Sequence, residues 1–209
     1  MSEQPPVVLV HGFLSTRRML WPFRRRLERY GFEVFQPRLS PLCIQDVRRL
    51  AEQLRDGIEG FCEQNNVGAV DLVGVSQGGI IGLYYLRHLG GAKRVRRLVT
   101  AGSPLGGSYV AVGALPLFGL FSPGLRQLVP GSRLLKNLSG PLPADCEVFT
   151  IAVRGDFVSP PGRCAIAEAQ ENRVIAGPRG PFKHQWMAAS GEVVAQVERA
   201  LRVESAGPS

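Results

Sequence analysis

Short apolar runs alternate along this chain with longer segments whose apolar residues recur every three or four positions. That alternation restricts the fold more than any other feature. Val7 to Val10, Phe32 to Phe35, Val70 to Val75, Val95 to Ala101 and Val148 to Val153 read as strands, with a weaker candidate at Arg173 to Ala176. Between them lie three helical segments. Trp21 to Tyr30 has an apolar side carried by Leu20, Phe23, Leu27 and Tyr30, and Ile44 to Cys62 has one carried by Val47, Leu50, Leu54 and Ile58. Gln77 to Leu89 stops at Gly90-Gly91, and Ser190 to Leu201 reads as a closing helix with Ser190 as its N-cap. Strand–helix alternation implies an α/β fold of about six mostly parallel strands with helices on both faces. Strands that are apolar throughout fit burial on both sides. In such sheets ligands sit at the carboxyl ends of the strands, so functional residues are sought just after strands.

A chain of 209 residues supports one domain, expected over 1–203, with 204–209 as a frayed tail. With 44% hydrophobic and 20% charged residues the chain is not disordered. The formal charge is +8, and 22 of the 25 basic residues are Arg. The clusters Arg17-Arg18, Arg24-Arg25-Arg26, Arg48-Arg49 and Arg96-Arg97 are short and read as solvated surface. No aromatic residues interleave with them, so nucleic acid is not an expected partner. Cys43, Cys62, Cys146 and Cys164 form no CxxC pair and there is no acidic cluster, so neither a metal nor another cofactor is expected. No basic n-region precedes an apolar h-region, which gives the expectation of a cytoplasmic protein with buried, reduced thiols.

One stretch breaks the rhythm. No residue from Leu98 to Leu125 is charged, and Tyr109 to Phe121 is apolar but interrupted by Pro116 and glycines. A membrane span needs about 20 apolar residues, so this run is too short and too broken. It reads as a lid or apolar pocket wall within an insertion at 105–140, the plainer alternative being an ordinary core helix.

Gly74-Val75-Ser76-Gln77-Gly78 has the form G-x-S-x-G. The string alone is weak, but here it follows a buried strand and opens a helix, the setting in which a sharp turn lifts a serine hydroxyl above the sheet. A serine hydroxyl needs a base. Of the three histidines, His88 lies twelve residues along the same helix, about 18 Å away at 1.5 Å per residue. It suits a last-turn helix cap. His11, at the end of the first strand, reads as structural. His184, in a loop before the last helix, remains as the base. The base needs an acid. Asp156 directly follows the strand at Val148 to Val153, on the edge where Ser76 emerges. Asp145 lies at the wrong end of that strand, and Glu168 and Glu171 are placed in a helix. The oxyanion hole is expected at the backbone N–H groups of Gln77 and Phe13, the latter in the His11-Gly12-Phe13 loop after the first strand.

VVLVHGFL, VDLVGVSQGG, VRRLVTAGSPLGGS, QLVPGSRLLKNL, IAVRGDFVSP and the late histidine occur in the order found in the α/β-hydrolase superfamily. The chain resembles its small bacterial lipases and esterases, with SPLGGS and PGSRLL pointing towards lipases. The resemblance implies a compact α/β-hydrolase fold lacking the first two strands of larger members, the triad Ser76, Asp156 and His184, and an oxyanion hole at Phe13 and Gln77. Many lipases carry His before the serine, and this chain has Val75.

The expected activity is hydrolysis of an acyl ester or lipid substrate through an acyl-enzyme on Ser76. An acyltransferase or thioesterase would use the same three residues. A rival from another class is a non-catalytic protein on a hydrolase scaffold that docks to anionic membranes through its arginines and apolar segment.

Overall fold

The computed structural model describes residues 4–203. The expected tail at 204–209 lies outside them. Six strands form one sheet in the order β2-β1-β3-β4-β5-β6, and every pairing is parallel. They are β1 (Val7–Val10), β2 (Val34–Phe35), β3 (Val70–Val75), β4 (Val95–Ala101), β5 (Glu147–Val153) and β6 (Glu171–Ile175). The helices are α1 (Trp21–Arg29), α2 (Val47–Asn65), α3 (Gln77–His88), α4 (Tyr109–Phe118), α5 (Pro123–Gln127), α6 (Arg133–Asn137), α7 (Lys183–Trp186) and α8 (Gly191–Arg202).

The strand residues divide between two cores with the period of two that a pleated sheet imposes. Val8, Val10, Leu72 and Leu98 pack with α2 and α3, while Val7, Leu9, Val73, Val75, Val99 and Ile151 pack with α1 and α8. On α2 the buried residues Val47, Leu50, Ala51, Leu54, Ile58 and Cys62 make one stripe, and the Asp46 carboxylate caps the helix by accepting the Arg48 N–H at 2.8 Å. The helix starts three residues later than the apolar period suggests, because the expected start at Ile44 belongs to a tight turn in which Leu42 and Cys43 have positive φ.

Two sequence-based assignments need correction. Glu171 does not lie in a helix: it opens β6, an edge strand whose first four residues are alternately half-buried and exposed before the buried Ile175. Glu168 sits in the turn before it. The strand at 32–35 shortens to the two residues of β2.

The amino-terminal edge of the sheet carries buried charge. Arg96 donates twice to the buried Asp71 carboxylate, at 2.9 and 2.6 Å. Arg97 is fully buried; it pairs with Glu147 and donates to the main-chain oxygens of Leu201, at 2.6 Å, and Val203, at 2.8 Å. The end of α8 is thereby fastened to β4. Every cysteine is a buried free thiol, and burial pushes Cys43, Cys146 and Cys164 up to about 12.

Candidate active site

The turn from β3 into α3 is closed by contacts that only glycine permits. A Cβ at Gly74 would lie 2.4 Å from the Gly79 nitrogen, and one at Gly78 would lie 2.4 Å from the Val10 oxygen. Between them Ser76 is held at φ 56°, ψ −128°, a conformation costly for any residue with a Cβ. Strain of this kind persists only where packing imposes it, and here it aims the hydroxyl out of the carboxyl end of the sheet.

The Ser76 Oγ lies 2.8 Å from His184 Nε2, and His184 Nδ1 lies 2.8 Å from Asp156 Oδ2. The structure therefore joins three residues that follow β3, β5 and β6. His184 occupies the single helical turn α7, where a loop was expected. The Asp156 side chain is fully buried, and its Oδ1 accepts the N–H groups of Val158 at 2.8 Å and Ser159 at 3.2 Å. This turn aims the carboxylate at the ring. With Nδ1–H directed at Asp156, Nε2 presents a lone pair to the Ser76 hydroxyl.

Sequence reasoning missed Ser159. Its Oγ is buried, 3.0 Å from His184 Nδ1 and 2.7 Å from the Gly102 carbonyl oxygen. A hydroxyl has one hydrogen, and the shortest contact assigns it to Gly102. A lone pair then faces His184, so the imidazole N–H is shared between Asp156 and Ser159. The available signal was the spacing Asp156-Phe157-Val158-Ser159, in which an aspartate and a serine can cap the same turn.

The loop after β1 meets the nucleophile turn closely. A Cβ at Gly12 would stand 2.8 Å from the Gln77 nitrogen and 2.9 Å from the Ser76 Cβ. Among the described residues, neither the Phe13 N–H nor the Gln77 N–H donates to a protein acceptor. Both are thus available to an oxygen beside Ser76. The Gln77 side chain is fully buried, and neither of its amide atoms has a partner. His11 is buried, with Nδ1 3.3 Å from the Gly12 oxygen and 3.4 Å from Cys43 Sγ. Burial lowers its proton affinity from the ordinary value of 6.5. His88 is remote from Ser76, its Nε2 lying 3.1 Å from the Asn137 oxygen.

A cavity of about 470 Å³ opens at Ser76 and His184. Leu14, Leu20, Ala111, Phe118, Leu125 and Leu128 are among its apolar walls, so α4 and α5 form part of the lining. The volume suits a small-molecule pocket, for which ~300–1,000 Å³ is usual. Among the described residues no group of His, Cys, Asp or Glu is arranged to hold a metal, and no helix is long and apolar enough to cross a membrane.

Comparison with solved structures shows the α/β-hydrolase fold. A lipase of Bacillus licheniformis superposes in its mature form with a TM-score of 0.77 at 18% identity, over 96% of this chain and 93% of that one. In its propeptide form the TM-score is 0.80 at 17% identity, over 97% of this chain and 51% of that one, so the chain spans about half the length of that form. A metagenomic carboxyl esterase superposes with a TM-score of 0.73 at 16% identity, over 95% of this chain and 74% of that one. A search of curated proteins finds no match. Residues 6–131, which include β1 to β4 and the nucleophile turn, match the family model for palmitoyl protein thioesterase. The match takes in more than half of the sequence, and the chain belongs to the palmitoyl protein thioesterase family.

Proposed function

We propose that the protein is a serine hydrolase that cleaves carboxylic acyl esters of lipid-like substrates through an acyl-enzyme on Ser76. The observation that carries this reading is the unbroken chain of contacts from Asp156 Oδ2 through His184 to Ser76 Oγ, 2.8 Å at each step, at the mouth of an apolar cavity. Ser76 Oγ attacks the acyl carbonyl carbon while His184 Nε2 takes its proton, and Asp156 stabilises the imidazolium. The carbonyl oxygen gains negative charge as the tetrahedral intermediate forms, and the Phe13 and Gln77 N–H groups donate to it. The intermediate collapses as His184 protonates the leaving alcohol. Water, deprotonated by His184, then attacks the acyl-enzyme and releases the acid.

Thioester cleavage by the same residues is the second reading, favoured by the family match. A thiol would then leave in place of the alcohol. Matched oxyester and thioester ladders of increasing acyl length, run on one preparation, separate the two. Transfer to an added alcohol would mark an acyltransferase. The apolar helices at 105–140, with α4 over the cavity, act as its lid.

Ser76→Ala is expected to lower turnover of p-nitrophenyl esters to background, and a fluorophosphonate probe is expected to label the unsubstituted protein at Ser76 alone. Activity retained in Ser76→Ala, or absence of labelling, would sink the reading.

A further inference from the structure

The two ends of the sheet differ sharply in charge. No Asp or Glu occurs between Asp71 and Asp145, nor between Glu171 and Glu192. In the loops that join the carboxyl ends of the strands to the helices that follow, the carboxylates are Asp156, which is buried, and Asp46, which caps α2; Glu28 on α1 and Glu52, Asp56, Glu59 and Glu63 on α2 lie within the helices. Asp145 and Glu168 lie just before β5 and β6, at the far edge, and Glu192 opens α8. The ion pairs made by Arg94, Arg96 and Arg97 all gather at the amino-terminal edge or beside it. Arg18, Arg126, Arg154 and Arg179 are exposed, lie on the connections at the cavity edge, and make no ion pair among the described residues.

The same edge carries most of the large exposed apolar side chains. Leu117, Leu120 and Phe121 are 74%, 85% and 81% exposed at the end of α4 and just after it. Phe157 beside Asp156, and Phe182 and Trp186 beside His184, are also exposed. Arg163 braces α4 from the loop after β5, donating to the Tyr109 hydroxyl at 2.5 Å with its guanidinium 4.2 Å from the ring centre. Exposed apolar side chains that share one edge of the sheet with unpaired guanidinium groups and few carboxylates complement one kind of surface: acyl chains beneath anionic headgroups.

We propose that the edge surrounding the cavity mouth docks onto anionic bilayers, with Leu120 and Phe121 entering the headgroup layer and Arg18, Arg126, Arg154 and Arg179 facing lipid phosphates. The proposal rests on the hydrolase reading only for its purpose, which is to place the cavity mouth against membrane-held acyl groups. The docking itself needs no catalysis.

The test uses the 209-residue Ser76→Ala protein and sedimented vesicles of phosphatidylcholine alone or mixed with phosphatidylglycerol. Partition onto the mixed vesicles is expected to exceed that onto phosphatidylcholine and to fall with added salt. Arg126→Gln/Arg179→Gln is expected to weaken that partition about 30-fold, since each basic residue near an anionic surface contributes about a factor of five. Leu120→Ser/Phe121→Ser is expected to weaken it as well. Both double variants should keep the far-ultraviolet circular dichroism and the thermal midpoint of the Ser76→Ala protein, which shows that they fold. Equal partition onto the two vesicle types, or partition indifferent to the arginine variant, overturns the proposal. So does a dimer in sedimentation velocity that Leu120→Ser/Phe121→Ser dissolves, because a second copy would then occupy the face. Vesicle binding without any ester hydrolysis would sink the hydrolase reading and leave the docking standing.

Discussion

At the scale of single residues, Ser159 offers a sharp test of how His184 is held. Its hydroxyl shares the imidazole N–H with Asp156 while anchored to the Gly102 carbonyl. Ser159→Ala removes one acceptor and leaves the carboxylate in place. It is expected to lower kcat about tenfold with little change in KM, the scale of one lost hydrogen bond. Asp156→Asn should cost far more, about ten-thousand-fold, because it disfavours the required tautomer. Parallel falls in kcat and in thermal stability for Ser159→Ala would mean that the serine merely supports the loop. That Ser76, Asp156 and His184 meet was legible because Ser76 directly follows β3, Asp156 lies just after β5, and His184 was the histidine left once His11 and His88 were set aside. Ser159 was not, since its role depends on which way a buried hydroxyl points.

Among the elements, those with a strong apolar period were legible and those shaped by tertiary contact were not. On α2 the buried stripe is complete, and Ile58 is fully enclosed between the helix and its neighbours. Ile58→Ala is expected to destabilise the protein by about 2–5 kcal/mol in denaturant titration, while the folded fraction keeps its ester hydrolysis. Normal stability would show that the packing around Ile58 closes over the gap. On β6, by contrast, Glu171 and Arg173 are half-buried and paired with each other, and Val174 is exposed. An edge strand needs only one side covered, so its sequence carries little of the apolar run that marked the central strands. Helices α4 to α6 were hidden for a different reason. Each is ten residues or fewer, and α4 contains Pro116 and exposes much of its apolar surface, so no inward-facing stripe announces it.

For the molecule as a whole, His11 links stability to pH. Burial, helped by the nearby Arg17 charge, holds its proton affinity below the ordinary value of 6.5, against a smaller opposing contribution from the Gly12 carbonyl. The unfolded chain therefore binds a proton at His11 that the folded chain refuses. Stability from this group is complete above the unfolded value and declines as pH falls through it. The urea midpoint should drop between about pH 7 and about pH 5, and His11→Gln should remove part of that drop. A midpoint that holds level on acidification in the unsubstituted protein would refute the linkage.

The guanidinium of Arg97 has a reach that its position in the middle of the chain conceals. It grips oxygens 104 and 106 positions downstream, in a place closed to solvent. Trimming the polypeptide back past Leu201 would strand a cation beneath the sheet with Glu147 as its main remaining counterpart. Protease nicking at that end should thus be felt as global loosening, with the scissile bond near the surface and the damage at the foot of β4.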